Sequence, residues 1–413
     1  MEKSGKFRLT SLERNWILYD VGNSAFVLMV ATLIPIFFNA LAAAGGLSSV
    51  EYLAYWGYAS SAVTIITAVL SPILGTVADT KGFKKPIFIL CVFVGIVGCC
   101  AMGAVSAWLP FLVIFVIAKV GFSGSLVFYD SMLSDVTTPE RMDEVSSRGY
   151  AWGYIGSCIP FVVCLGLVLG AGSIGISQMT ALNLALLLTA AWWLLTTLPL
   201  LKSYKQLYYV EVEKHAVRQS FARIGHTLRH LPEDKQVFWF LLAFFCYIDG
   251  VYTIIDMATA YGTALGLDTT GLLLALLVTQ IVAFPSALVF GRLSNKYPSA
   301  KLIPVCIAAY AGIAVFAFFL TRQWQFWVLA VIVGMFQGGV QALSRSHFAK
   351  IIPPEKSGEY FGLFDICGKG ASFLGTMIVS VGSQLTGSAN VGVGSLIVLF
   401  IVGFVLFRVC LLY

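Results

Sequence analysis

Charge is what this chain has least of: 11% of its 413 residues are Asp, Glu, Lys or Arg, against roughly 25% in an average soluble domain. Hydrophobic residues make up 59%. Apolar runs of about 20 residues, long enough to cross a bilayer as helices, recur from end to end, and a soluble fold has no room for so many. Histidine is nearly absent. His215, His226, His230 and His347 all fall in segments expected outside the membrane, so carboxylates rather than a histidine relay would have to carry protons. The nine cysteines lie within apolar runs and form no CxxC pair, which argues for soft packing residues and against a disulfide or metal framework. There is no GxxxxGK[ST] phosphate loop, no HExxH and no GxSxG in context. ATP hydrolysis and enzymatic chemistry therefore find no support, and neither cofactor nor metal is expected.

What is there is an all-α polytopic membrane chain. Twelve spans can be placed, at 16–43, 53–78, 86–106, 108–130, 149–170, 178–201, 237–264, 270–292, 301–321, 324–344, 360–382 and 389–411. The first apolar run, from Trp16 to about Ala44, exceeds the ~7–15 residues of a signal-peptide core, so it is expected to stay as the first membrane helix. Lys and Arg gather in alternate connections, and the opposite side has essentially Arg322 alone. The loop after the tenth span, with Arg345, Lys350 and Lys356, is read among the basic ones. By the positive-inside rule both termini are expected in the cytoplasm. The net charge of +6 follows from this asymmetry and implies no nucleic acid. Segment 202–236 carries Val217, Phe221, Ile224, Leu228 and Leu231 at helical spacing among Arg218, Arg223, Arg229 and His230, a pattern that suits a basic amphipathic helix on the inner membrane face. It divides the chain into a six-helix half over 1–201 and another over 237–413.

The halves echo each other. "GTVADTKGFKK" (75–85) has its counterpart in "GRLSNKYPSAK" (291–301), and "SMLSDVTTPERMDEVSSRGYAWGYIG" (131–156) in "SRSHFAKIIPPEKSGEYFGLFDICGKG" (344–370). Asp20 of the first span is loosely matched by Asp249 of the seventh. Parallel repeats with a central loop are the plan of alternating-access transporters, whose substrate sits between the halves near the midplane. Gly75 permits close helix approach, and Asp79 can cap a neighbouring helix N-terminus or pair with a basic side chain.

"GTVADTKGFKKPI" resembles the loop between the second and third helices of the major facilitator superfamily, with Gly75, Asp79, Gly82, Lys84 and Lys85 on its pattern. The resemblance implies that fold, with a cytoplasmic gate at Gly75, Asp79, Lys84 and Lys85. More narrowly, "YDVGNSAF" (19–26), "FYDSMLSDV" (128–136) and "SSRGYAWGYIGS" (146–157) are similar to the vacuole-effluxer-like family, with Val21-Gly22 where the usual motif has Trp-Ala. That family is named for fungal proteins that release amino acids after autophagy, and this compact chain resembles a bacterial member in the inner membrane. The implied function is secondary transport of amino acids or similar small polar organic solutes, driven by protons, in a lipid-embedded monomer. A cation-coupled sugar symporter and an exporter or flippase of amphipathic compounds are the alternative transporters; a transporter-like receptor or scaffold is the alternative of another class.

A charge at mid-bilayer costs about 2.5–3.5 kcal/mol on insertion scales, so each should face a water-filled space or a partner. Seven stand out: Asp20, Lys119, Asp130, Asp249, Asp256, Asp365 and Lys369. The superfamily plan lines the central cavity with helices one, four, seven and ten, which implies that the first five of these face it. Tyr19 and Asn23 are expected to orient Asp20. Lys119 is expected near the face of Asp130, and Asp249 is expected to couple protons or bind an amino group, with Asp256 two turns further along the same stripe. Asp365 and Lys369 stand at i,i+4, the favourable order for an intrahelical pair. Gln337 and Gln341, also i,i+4, could hydrogen-bond a polar substrate or join helices.

Overall fold

Inside lipid every backbone N–H and C=O must find its partner within the chain, so apolar runs of this length cross as helices. The computed structural model describes residues 7–211, 225–227 and 229–413, without the side chains of 49, 50, 53, 259, 260, 263, 264, 269, 270, 273 and 369–373. Among the described residues, twelve long helices account for most of the chain. The first half contains α1 (Ser11–Ala44), α2 (Ser49–Ala78), α3 (Lys84–Met102), α4 (Trp108–Ser131), α5 (Met142–Leu169) and α6 (Gln178–Ser203). The second contains α7 (Lys235–Ala264), α8 (Thr269–Ser294), α9 (Ser299–Phe318), α10 (Gln323–Ile351), α11 (Ser357–Thr386) and α12 (Ala389–Cys410). Among the described residues, 11 helices are long and apolar enough to span a membrane. All nine cysteines are free.

Local signals start the helices. Thr10 and Glu13 form a capping box ahead of α1, Ser48 and Glu51 another ahead of α2, and Ser177 and Asp268 cap α6 and α8, each satisfying amide groups left over by the first turn. Of the amphipathic helix expected in the central segment, Val217, Arg218, Phe221, Arg223, Ile224 and Leu228 lie outside the described residues.

Packing repeats with a shift of six helices. In the first half α1 packs on α5 and α6, α2 on α4, and α3 on α4 and α6; in the second α7 packs on α11 and α12, α8 on α10, and α9 on α10 and α12. The halves meet through α2 against α11 and α5 against α8 and α10. The first two pairings are exchanged by the same pseudo-two-fold, as a parallel repeat requires. Glycines set the spacing. Gly149, Gly153 and Gly156 of α5 lie against Asp20, Ser24 and Val21 of α1, and Gly75 of α2 lies so close to Gly358 of α11 that a Cβ on either would overlap the other's carbonyl oxygen.

That approach yields a prediction. Gly75→Val is expected to keep α2 and α11 apart and to remove most of the population in which the halves meet here. Spin labels at the exposed positions Lys81 and Glu355 should report a longer and broader distance distribution in the variant.

Candidate functional site

The inter-half contact is built from buried charge at the end of the bundle that carries the basic loops. Its centre is Arg345, near the end of α10 and 2% exposed. The expected loop cation is inside a helix, because α10 continues to Ile351 instead of stopping near 344. The same extension buries His347, which packs against Phe240 and Phe407 and meets Ser299 Oγ at 3.2 Å. The sequence reading that no histidine is buried is thus corrected.

From the second half, Arg345 reaches into a pocket of the first. Its guanidinium donates to Asp130 at 2.9 Å, lies 3.5 Å from Asp20, and donates to the Ser146 hydroxyl at 2.9 Å and the Ser146 carbonyl at 3.0 Å. Trp16, Tyr129 and Tyr150 surround it, with ring centroids 4.7, 5.4 and 4.3 Å from the guanidinium carbon. A planar, permanently charged fork with weak hydration suits such a site better than an ammonium would. Tyr129 donates to Asp20 at 2.9 Å, and Trp16, stacked on Tyr129 at 4.3 Å, donates its indole N–H to the Tyr129 carbonyl. Asn23 also donates to Asp20, at 3.4 Å. Tyr19, expected to orient Asp20, instead pairs its hydroxyl with Ser125 at 2.6 Å, and its ring lies against Phe88. Tyr129 takes the orienting role. The α1 carboxylate at position 20 is accommodated because it has an arginine, a tyrosine and an amide around it. Two carboxylates share one guanidinium, so with both ionised this group carries one negative charge in excess.

A second cluster lies alongside. Asp79, at the end of α2, accepts from the backbone N–H of Gly358 at 2.7 Å and of Glu359 at 2.8 Å, at the first turn of α11. It therefore caps a helix of the other half, where free amides and the helix dipole favour an anion. Lys84, fully buried, stands 3.9 Å from Asp79 and 3.4 Å from Asp135, and donates to Ser357 at 2.9 Å. Asp135 also accepts from Tyr204 and from the backbone N–H groups of Leu207 and Tyr208, which ties the segment after α6 to the α4–α5 connection. Burial raises the Asp79 pKa to about 7, against the opposing pull of Lys84 and of the Glu359 and Gly358 amides. Lys85 points elsewhere and donates to the Tyr204 carbonyl. At the rim Asp143 of α5 joins Ser346 and Lys350 of α10, and Glu144 accepts from Asn295 beyond α8.

The other predicted residues spread deeper. Asp365 accepts from Ser71 of α2 at 2.7 Å, a bond across the halves; the Lys369 side chain lies outside the described residues. Gln341 accepts from Tyr154 of α5 at 3.2 Å, and Gln337 is buried one turn away. Lys119 lies about three turns before Asp130 on α4, near the same face. Its ammonium stands 4.7 Å from the Phe122 ring and acts electrostatically on Asp256 of α7, an exposed carboxylate. Asp249 is fully buried and faces Gly375 of α11 at 2.9 Å from its N–H, away from the Arg345 group. The structure thus brings Asp20, Asn23 and Asp130 together and places Asp249 apart from them, against α11. Sequence reasoning missed Arg345 and Tyr129. The signal for the first is a stripe, since Gln337, Gln341 and Arg345 recur every fourth residue and share a helix face.

Known proteins share this architecture. Residues 11–411 match the family described as "Vacuole effluxer Atg22 like". An MFS-type transporter of Bacillus subtilis, YxiO, is 42% identical over 97% of this chain and 94% of its own length. Autophagy-related protein 22 of Saccharomyces cerevisiae is 28% identical over 59% of this chain, which spans about half the length of that fungal relative, 53% of it. Among solved structures, the human organic anion transporter MFSD10 (TM-score 0.72, 14% identity, 96% of this chain and 98% of that one) and FucP in its outward conformation (0.71, 16%, 96% and 97%) share the fold. The chain is a secondary transporter, and it belongs to the vacuole effluxer Atg22-like family of the major facilitator superfamily.

Proposed function

We propose that this protein moves amino acids or similar small polar organic solutes by alternating access, with protons as the coupling ion. The observation that carries the reading is Arg345 of one half held between Asp20 and Asp130 of the other. Such a contact holds one end of the bundle shut and must be dismantled for that end to open. Because the group holds one negative charge in excess, a proton or a cationic group bound there would weaken the grip on Arg345 by reducing the charge it faces. The six-helix halves 1–201 and 237–413 are the moving bodies, and 202–236 connects them. With the basic loops and both termini in the cytoplasm, the conformation described is closed on the cytoplasmic side. Support for a zwitterionic solute comes from charges of both signs within membrane helices, Lys119 of α4 and Asp256 of α7. Amino acids are also the class implied by the family resemblance.

The test is uptake of a labelled amino-acid mixture into proteoliposomes, with and without an imposed pH gradient. Accumulation is expected to follow the gradient and to fall at least tenfold in Asp130→Asn. Accumulation indifferent to the gradient would remove the proton from this reading. No flux from folded protein would remove amino acids and turn the search to sugars and amphipathic compounds.

A further inference from the structure

The pseudo-symmetry puts two aspartates in comparable settings and treats them differently. Asp20 of α1 lies against Gly149 of α5, where a Cβ would crowd its carboxylate, and Arg345 fills the space between. Asp249 of α7 lies against Gly375 of α11, where a Cβ would crowd both Asp249 Oδ1 and Thr253 Oγ1. The first helix of each half thus presents a carboxylate to a glycine of the fifth. In the second half, however, no cation arrives among the described residues.

Asp249 is 0% exposed and stands near the middle of a 30-residue helix. Its Oδ1 accepts from the Gly375 N–H at 2.9 Å and from the Thr253 hydroxyl at 3.3 Å, and its Oδ2 has no hydrogen-bond partner among the described residues. Among the described residues, the groups around it are neutral. On its own helix they are Cys246 and Thr253; α11 contributes the Gly375 amide; α12 contributes the Phe400 ring packed on the neighbouring Gly250. An anion in this setting would have one amide and one hydroxyl to balance it and an oxygen facing nothing. A neutral carboxyl keeps both accepted bonds on Oδ1 and carries its proton on Oδ2. The cleft offers too few oxygen atoms for a metal ion, and no cluster of metal-ligating side chains occurs among the described residues.

We infer that Asp249 is a proton-binding site that fastens the middle of α11 to α7. One proton adds to the carboxylate on binding and leaves it on release, so the site changes by one charge. Its consequence runs along α11, the helix that Asp79 caps at its first turn. Around residues 368–375 that helix contains three glycines, Gly368, Gly370 and Gly375, a stretch that holds helical geometry weakly. Losing the proton would favour withdrawal of α11 from a bare carboxylate and bend the helix within that stretch. This deepens the proton coupling proposed above, but the site can be tested without any transported solute.

The experiment is infrared difference spectroscopy of the full-length protein in lipid nanodiscs, titrated in H2O and in D2O. The expected result is a protonated-carboxyl stretch that persists at neutral pH, shifts down in D2O, survives Asp20→Asn and Asp130→Asn, and disappears in Asp249→Asn. Thr253→Val, which removes one donor and leaves the carboxyl in place, is expected to raise the frequency of the band; it keeps the test decisive if Asp249→Asn fails to fold. A wild-type spectrum without such a band, or a band unmoved by both substitutions, would overturn the inference. A carboxylate band that responds to sodium and is lost in Asp249→Asn would overturn it in favour of a metal ion. None of these readings depends on whether amino acids are carried.

Discussion

Arg345→Ala is expected to abolish transport and to destabilise the folded protein by about 3–5 kcal/mol, the usual consequence of removing one partner from a buried ion pair. The magnitude follows from what would be left behind. Asp20 and Asp130 would face each other without the guanidinium that lies 3.5 and 2.9 Å from them, and the Ser146 hydroxyl and carbonyl would lose their donors. Arg345→Lys should fall between wild type and alanine, since an ammonium keeps the charge but cannot donate to Asp130 and Ser146 at once from a planar fork. The triple variant Asp20→Asn, Asp130→Asn, Arg345→Gln separates the two roles of the site. Without charge it should regain most of the stability lost in Arg345→Ala yet still fail to move solute. Thermal unfolding of purified protein and proteoliposome flux of labelled amino acids give the two readouts. Full stability in Arg345→Ala would mean that water reaches both carboxylates and that the group is no buried latch.

Much of the architecture could be read from the residues because lipid leaves few choices. Apolar runs fix helices, lysines and arginines gather in alternate loops at one end, and two similar loops at 75–85 and 291–301 announce the repeat. Asp79 and Gly75 also lay on a legible pattern, and the structure brings both to the first turn of α11. What hydropathy could not reveal is a charge buried at a helix end. Arg345 and His347 follow an apolar run and precede "IIPPEK", so they look like the start of a loop until the partners Asp130, Ser146 and Ser299 from distant segments are in place. Lys84 is similar: it begins α3 like a surface lysine, and only the fold surrounds it with Asp79, Asp135 and Ser357. Asp249 and Asp256 show the converse. Seven residues apart on one stripe, they differ because α11 closes over the first and leaves the second exposed.

Asp79→Ala is expected to release this end of the bundle, and the closure itself should depend on pH. In the alanine variant, closure would bury the Gly358 and Glu359 N–H groups without an acceptor, at about 1–3 kcal/mol each. Leaving both unpaired therefore amounts to at least about 2 kcal/mol, a shift of roughly thirtyfold in the closed-to-open ratio. The Lys81–Glu355 label distance should lengthen accordingly. The pH dependence follows from linkage. In the closed state burial, opposed by Lys84 and the Glu359 and Gly358 amides, raises the Asp79 pKa from its ordinary 3.8 to about 7. In the open state, with the carboxylate in water, the ordinary value returns, so the closed state binds the proton more tightly. Through Asp79, closure is therefore favoured by acid, against the loosening proposed for a proton at the Arg345 group. The advantage is complete below the ordinary value and is lost as pH rises through the closed-state one, so the short label distance should decline between about pH 4 and 7. Asp79→Asn, which carries no titratable group, should keep the bond from one amide, close less firmly, and show no such decline. A closed population that grows with pH in the wild type would mean that Lys84 and the helix N-terminus outweigh burial, and that the latch works as a fixed ion pair.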